Sequence, residues 1–171
     1  MSITKIQSES LNLADDYTFT GTVAGAGGAN TPNFRARASS NITLTQYVPQ
    51  KLTFGTEEWD TASAFDTSTS RFTVPSGEGG KYFFKAHSEI NNVVEGRTTQ
   101  LRFYINNSWT SPERNLYEVV HSGNTRDDVF YSTVLELSAS DYVEIYIYTD
   151  NDTGKTTSAN VTHFLGYKII E

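Results

Sequence analysis

The feature that most constrains this chain is a series of short apolar segments separated by turn-forming clusters, which starts near residue 34. Turn clusters such as Pro-Ser-Gly-Glu-Gly-Gly at 75–80 and Asp-Asn-Asp-Thr-Gly at 150–154 recur about every 8–14 residues, the spacing of a β-sandwich. No amphipathic helical pattern and no internal repeat interrupts the series. The sequence therefore predicts an all-β fold, with strands over residues 34–38, 51–55, 71–74, 81–90, 100–105, 116–121, 129–137, 142–149 and 161–170.

Composition excludes several classes of function. The 171 residues suit one domain, and 13 Lys and Arg against 20 Asp and Glu give a net charge of −7, so we expect no nucleic-acid partner. Cysteine is absent, which removes disulfides, zinc-thiolate sites, iron–sulfur clusters and thiol nucleophiles. No apolar stretch approaches the ~18 residues of a membrane span, and the first ten residues lack a signal-peptide core. We expect neither membrane insertion nor a secretion signal.

Residues 1–33 differ in composition from the rest of the chain. Gly25, Gly27 and Gly28 indicate a hinge or linker, and the apolar residues are too few to form a core. We predict an extended N-terminal segment over 1–33 and a separate head domain over 34–171. Another chain is expected to hold the segment through its apolar side chains, namely Ile3, Ile6, Leu11, Leu13, Tyr17 and Phe19.

Three phenylalanines are predicted to lie on the strand faces opposite the core. Alternation places Phe83 among Lys81, Lys85 and His87, and it separates Phe130 and Phe164 from the apolar face of their own strands. One exposed Phe is ordinary, but three on neighbouring strands indicate a buried subunit interface. Burial of both sheet faces, or a slipped register, is the alternative explanation.

Several motifs occur in the order found in one known family. Gly80-Lys-Tyr-Phe-Phe84, then Leu135-Glu-Leu137 with Asp141-Tyr-Val143, then Phe164-Leu-Gly166 resemble the complement C1q and tumour necrosis factor-like jelly roll. The resemblance covers about residues 34–171. It implies a jelly-roll β-sandwich that forms a trimer around a three-fold axis, and the positions matching the axis-facing residues of the family are Phe83, Phe130 and Phe164.

The N-terminal segment has a narrower resemblance. Residues 5–23, followed by Gly25-Ala-Gly-Gly-Ala-Asn30, are similar to the segment that precedes such jelly rolls in tail-fibre and other virion proteins of marine bacteriophages. Cyanobacterial phages are typical carriers. The resemblance implies a non-enzymatic, trimeric tail-fibre or tip module of a virion, attached through residues 1–33, that binds a host-surface glycan or envelope component. The open alternatives are a capsid or vertex decoration protein and a polysaccharide depolymerase.

Aromatic residues are the best candidates for ligand binding. Tyr142, Tyr146 and Tyr148 alternate with Val143, Ile145 and Ile147, so one face of that strand presents tyrosines beside Glu144. Such a row can stack on sugar rings and accept hydroxyl hydrogen bonds, and Trp109 lies in a loop that can contribute. The alternative is that outward tyrosines are simply common on strands.

Metal binding and catalysis have weaker support. Asp150 and Asp152 precede Gly154 at a spacing used by calcium loops, but a strand-connecting turn needs no metal. Some members of the resembled family bind calcium, so calcium is the one possible cofactor. His87, His121 and His163 lack metal-ligand spacing, and no Gly-x-Ser-x-Gly motif is present. We therefore expect no catalytic residues and no enzymatic activity.

Overall fold

A computed structural model of the chain describes residues 30–109, 116–120, 122 and 125–169, which form two β-sheets. Sheet I contains β1 (Asn33–Arg37), β3 (Thr56–Asp60), β6 (Gly80–Asn91), β9 (Arg126–Leu137), β11 (Thr156–Thr157) and β12 (His163–Lys168). Sheet II contains β2 (Gln50–Lys51), β4 (Phe65–Asp66), β5 (Arg71–Thr73), β7 (Thr98–Ile105), β8 (Leu116–Val120) and β10 (Tyr142–Thr149). Within the described part of the chain, no helix is long and apolar enough to span a membrane.

Both sheets are antiparallel, and their neighbours come from distant parts of the chain. In sheet I, β9 and β12 flank β6, and β1 and β3 follow beyond β12. In sheet II the order is β4, β5, β10, β7 and β8, with β2 also paired to β10. The chain crosses repeatedly between the sheets, which is the connectivity of a jelly roll. The prediction of an all-β jelly-roll sandwich is confirmed.

Most predicted strands are present, and the exceptions have a physical reason. The strand predicted over 51–55 is wrong, because β2 ends at Lys51 and β3 begins only at Thr56. Leu52 and Phe54 lie between them outside any strand, yet both are fully buried. The alternation of Leu52 and Phe54 with polar residues therefore indicates that these side chains are buried, but it does not indicate that the segment pairs with another strand. The sequence Thr-Glu-Glu-Trp-Asp of β3 has almost no apolar pattern, so its place in sheet I was not predicted.

A cluster of phenylalanines forms the centre of the core between the sheets. The Phe34 ring lies 4.9 Å, centroid to centroid, from the rings of Phe65, Phe72 and Phe164. Phe65 and Phe72 come from sheet II, whereas Phe34 and Phe164 come from sheet I. Stacked and edge-on aromatic pairs at such distances add to the free energy of burial. These rings therefore join the two sheets.

The predicted interface position of Phe164 is wrong. Phe164 has no exposed surface, and it packs in the core against Phe34, Phe54 and Phe84. The alternation of β12 was misassigned because the second core-facing residue of this strand is Gly166, which has no apolar side chain to reveal the face. A Cβ at Gly166 would overlap the Phe84 ring and touch the Phe34 ring at 3.0 Å. The outward residues of β12 are therefore His163, Leu165 and Tyr167.

The turn at Asn106 and Asn107 fixes the register of the central strands of sheet II. Both asparagines have positive φ, 51° and 60°, which Asn adopts more readily than other non-glycine residues. The Asn106 side chain donates to Asp141 Oδ1 at 2.7 Å and accepts from the backbone N–H of Tyr142 at 3.0 Å. The end of β7 is thereby tied to the start of β10, which carries all three predicted ligand-binding tyrosines.

The first strand of the described residues lies at the predicted boundary, and the division into segment and head stays a prediction. Asn33 is the first residue of β1, and the carbonyl of Pro32 accepts a hydrogen bond from the Lys168 N–H at 3.0 Å. The head therefore includes residues from Pro32 onward. The apolar residues predicted to attach the N-terminal segment, Ile3, Ile6, Leu11, Leu13, Tyr17 and Phe19, lie outside the described residues.

Candidate functional site

Alternation along β10 produces two different faces of sheet II. Val143, Ile145 and Ile147 are fully buried in the core. The residues between them point to the outside, as predicted from the sequence, and they meet the outward residues of β5 and β7. We call this surface the aromatic face; its members are Arg71, Arg102, Tyr104, Tyr142, Glu144, Tyr146 and Tyr148.

Glu144 lies at the centre of the aromatic face between two cations. Its Oε1 is 2.6 Å from Lys51 Nζ and 2.9 Å from Arg71 Nη2. Lys51 is on β2 and Arg71 is on β5, and both strands pair with β10, so the sheet register sets the site. The Glu144 side chain is only 3% exposed. A carboxylate this buried requires partners of opposite charge, and the two neighbouring strands supply them.

Two opposing influences act on the Glu144 carboxyl. Burial is the largest influence on its pKa, and burial alone would raise that pKa by disfavouring the charged form. The hydrogen bonds from Lys51 and Arg71, together with their positive charges, outweigh burial and hold the pKa of Glu144 below its usual value. The carboxylate therefore stays ionised at neutral pH and keeps both cations in place.

Aromatic rings extend on either side of Glu144. The Arg71 guanidinium lies 3.7 Å from the centroid of the Tyr142 ring. Tyr104 and Tyr146 stack with ring centroids 4.0 Å apart and an interplanar angle of 28°. Burial raises the pKa of Tyr146, and the nearby Glu144 charge raises it further, so its hydroxyl stays protonated. This hydroxyl can both donate and accept hydrogen bonds.

Arg102 occupies the next position along the aromatic face. It is 7% exposed, and its guanidinium lies 4.0 Å from the Trp109 ring and 4.2 Å from the Tyr148 ring. The structure thus brings together Trp109 and Tyr148, which the sequence selected separately as ligand-binding candidates. Sequence reasoning missed Arg102, although Gln100, Arg102 and Tyr104 alternate with Leu101 and Phe103 and could have been assigned to the outer face.

The outer face of sheet I carries a different kind of surface. Tyr167, Phe83 and Val134 form a row across β12, β6 and β9, and the Phe83 and Tyr167 rings lie 5.2 Å apart. Val134 and Phe130 are each 52% exposed. We call this surface the apolar patch; its members are Phe83, Phe130, Val134, Leu165 and Tyr167.

Two histidines meet beside the apolar patch. His87 and His163 are cross-strand neighbours with ring centroids 5.2 Å apart, and each Nδ1 lies within 2.9 Å of the Val161 carbonyl oxygen. His87 Nε2 is also 3.1 Å from Asp128 Oδ1. Burial lowers the pKa of His163, and the neighbouring His87 lowers it further. Their wide separation in sequence gave no sign of this contact.

One of the two predicted calcium ligands, Asp150, has a structural role in the turn. Asp150 Oδ1 accepts the backbone N–H of Thr98 at 2.5 Å, which ties the turn to β7, and Asp152 is exposed. Among the described residues, no group of three or more His, Cys, Asp or Glu side chains is arranged to hold a metal ion. Calcium binding at Asp150 and Asp152 stays a prediction.

Comparison with known proteins identifies the architecture. No protein-family model and no curated protein sequence matches the chain. Solved structures do match. The globular domain of zebrafish complement 1qA protein is 21% identical with a TM-score of 0.58, and the match covers 82% of this chain and 98% of that one.

Two further solved structures extend the likeness. The Eiger TNF of S. frugiperda is 12% identical with a TM-score of 0.57, covering 81% of this chain and 92% of the other. Murine APRIL at pH 5.0 is 9% identical with a TM-score of 0.55, and the match covers 80% of this chain and 98% of the other. These likenesses show the fold: the head is a jelly roll of the C1q and tumour necrosis factor type.

Proposed function

We propose that this chain is a homotrimeric, non-enzymatic virion module of a bacteriophage, a tail fibre or its tip, that binds a host-surface glycan. The observation that carries the proposal is the contrast between the two outer faces of the sandwich. Sheet I presents an apolar patch, and sheet II presents aromatic rings held by charged side chains. One face suits burial against other copies of the chain, and the other suits recognition of a hydrated ligand.

The apolar patch supports the trimer. Burying a Phe side chain stabilises an assembly by about 1.5–3 kcal/mol, and a three-fold arrangement repeats each contact in every protomer. In this arrangement Phe83 and Phe130 stay in the predicted interface. Val134 and Tyr167 take the place of Phe164, which belongs to the core. Phe130 lies opposite His87, four residues along β6 from Phe83, and extends the interface along the axis.

The position of the described N-terminus supports attachment through the preceding segment. Asn30 lines a recess of about 230 Å³ together with Trp59, Leu165 and Tyr167. Leu165 and Tyr167 are members of the apolar patch, so residues 1–29 join the head at the edge of the proposed interface. In a trimer, three-fold symmetry would place the three Asn30 residues at the same end of the assembly, where one neighbouring virion protein can reach all three.

The aromatic face supports glycan binding. Flat tyrosine and tryptophan rings match the apolar faces of sugar rings, and the ordered side chains beside them provide hydrogen-bond donors and acceptors. Trimerisation would present three copies of this surface to one host surface. Weak binding at each site would then be strengthened through effective concentration.

The proposal is tested on the virion and with the purified full chain. Labelling should place the protein on the tail, and particles that lack it should adsorb poorly to host cells. Replacing Trp109, Tyr146 or Tyr148 with Ala should weaken adsorption without changing the mass of the trimer. Incubation with host polysaccharide should release no new reducing ends. Normal adsorption by particles that lack the protein would overturn the proposed function.

A further inference from the structure

Arg102 is a nearly buried cation with no partner of opposite charge among the described residues. Only 7% of the residue is exposed, and no carboxylate of the described residues lies within ion-pair distance of it. Arg71 and Lys51, on the same face, share Glu144. Burying a charge without a counter-ion costs free energy, so a cation in this position calls for an external anion.

The surroundings of Arg102 fix the plane of its guanidinium. Trp109 and Tyr148 lie against it at 4.0 Å and 4.2 Å from their ring centroids. Gln100 Oε1 accepts hydrogen bonds from Nε at 2.8 Å and from Nη2 at 2.5 Å. The group is therefore held by neutral neighbours in a single orientation. Little side-chain freedom remains to be lost when a ligand binds.

One donor at this position is open to a ligand, and a second lies buried beside it. Arg102 Nη1 has no acceptor among the described residues, and it is not among the buried unpartnered nitrogens, so it reaches solvent. Trp109 Nε1 is buried and has no hydrogen-bond partner in the described part of the chain. A ligand oxygen that reaches Arg102 Nη1 gains a charge-assisted hydrogen bond, which is stronger than a neutral one.

The ligand group that fits is a carboxylate carried on a sugar ring. Arg102 pairs with Tyr146 across β7 and β10, and Tyr146 stacks on Tyr104, so aromatic surface lies directly beside the guanidinium. We propose that the aromatic face binds a uronic-acid-containing saccharide, with the uronate carboxylate on Arg102 and the sugar ring on the neighbouring tyrosines. This inference rests on the proposed glycan-binding function and names the class of glycan.

The test uses the full chain and one oligosaccharide in two forms. Oligogalacturonate and its methyl ester have the same rings, but the ester has lost the negative charge. The wild type should bind the acid about tenfold more tightly than the ester or better, because the ester cannot pair with the guanidinium charge. This comparison needs no variant, so it decides the question even where substitution of Arg102 prevents folding.

Variants then assign the preference to one side chain. Arg102→Gln should remove the difference between acid and ester, and Arg102→Lys should retain only part of it, because an ammonium group lacks the planar fork. Arg126→Gln is the matched control: Arg126 is an exposed arginine on β9 of the other sheet, and its replacement should leave the preference intact.

Several results would overturn the inference, and they differ in what they leave standing. Equal binding of acid and ester, with both lost in Tyr146→Ala, would reject the uronate and keep glycan binding by the aromatic face. If Arg102→Gln still prefers the acid to the ester, the carboxylate site on Arg102 is rejected. It is also rejected if the wild type binds a sulfated oligosaccharide as tightly as it binds oligogalacturonate. If the protein binds neither the acid nor the ester but binds neutral glycans, the uronate proposal is rejected and glycan binding stands. If it binds no saccharide at all, the proposed function is rejected as well.

Discussion

Glu144 Oε1 lies 2.6 Å from Lys51 Nζ and 2.9 Å from Arg71 Nη2, so one buried carboxylate holds together three strands of sheet II. Because the side chain is only 3% exposed, water cannot replace these contacts. The positions of Arg71 and of the Tyr142 ring against it depend on the same carboxylate. The aromatic face is therefore organised around the ion pairs that Glu144 makes with Lys51 and Arg71.

Glu144→Gln should lower the free energy of unfolding by about 1–3 kcal/mol, since it removes the charge that pairs with Lys51 and Arg71. The pH dependence should also change. The lowered pKa of Glu144 gives stability that is present above its unfolded value of 4.5 and is lost as the pH falls through the folded value. Urea unfolding at neutral and acidic pH measures both effects.

In Glu144→Gln the loss of stability on acidification should be smaller than in the wild type. Glu57→Gln, at an exposed position of β3, is the control and should change neither quantity. Parallel pH profiles for wild type and Glu144→Gln would show that the ion pairs contribute nothing to folding.

Gly166→Ala should destabilise the head by about 1–3 kcal/mol, because the new methyl group overlaps the Phe84 ring in a packed core. Gly79→Ala is the matched control. A Cβ there meets its nearest neighbour at 3.5 Å, an ordinary contact, so the loss should be small. Thermal unfolding of the two variants makes the comparison, and equal melting temperatures would contradict the packing described for β12.

The case of Gly166 shows what sequence patterns could and could not reveal. Strand positions and the outward tyrosines of β10 followed from alternation, because apolar side chains mark the core, whereas the jelly-roll class followed from the family resemblance of the motifs. On β12 the core-facing residues are Phe164 and Gly166, and a glycine carries no such mark, so Phe164 was assigned to the wrong face. The sequence also did not predict the ion pairs of Glu144, because Lys51, Arg71 and Glu144 come together only through strand pairing.

If the chain forms the proposed trimer, Val134→Asp should give soluble monomers, and Phe130→Asp should give monomers or insoluble protein. Each change puts a charge on the apolar patch, where desolvating it at an interface is costly. Light scattering measures the mass. Val48→Asp, an exposed residue outside the strands, should leave the assembly unchanged. A trimer of normal mass and stability in Val134→Asp would exclude this patch from the interface.

Removal of residues 1–29 should leave the melting temperature of the head nearly unchanged and should abolish incorporation into virions. The described head retains the Pro32 carbonyl bond to Lys168 and all of β1 without them. Calorimetry of the shortened chain and the protein content of assembled particles are the measurements. A head that fails to fold would show that the N-terminal segment is an integral part of the sandwich.

The measurement that tests the central claim most directly is the distance between spin labels in the assembled protein. The chain has no cysteine, so Val134→Cys and Val48→Cys each provide one labelling site. If sheet I faces the three-fold axis, labels at residue 134 should give a well-defined distance between protomers that is shorter than the distance for labels at residue 48. A longer distance for residue 134, or no distance between protomers at either site, would contradict a trimer built on the apolar patch.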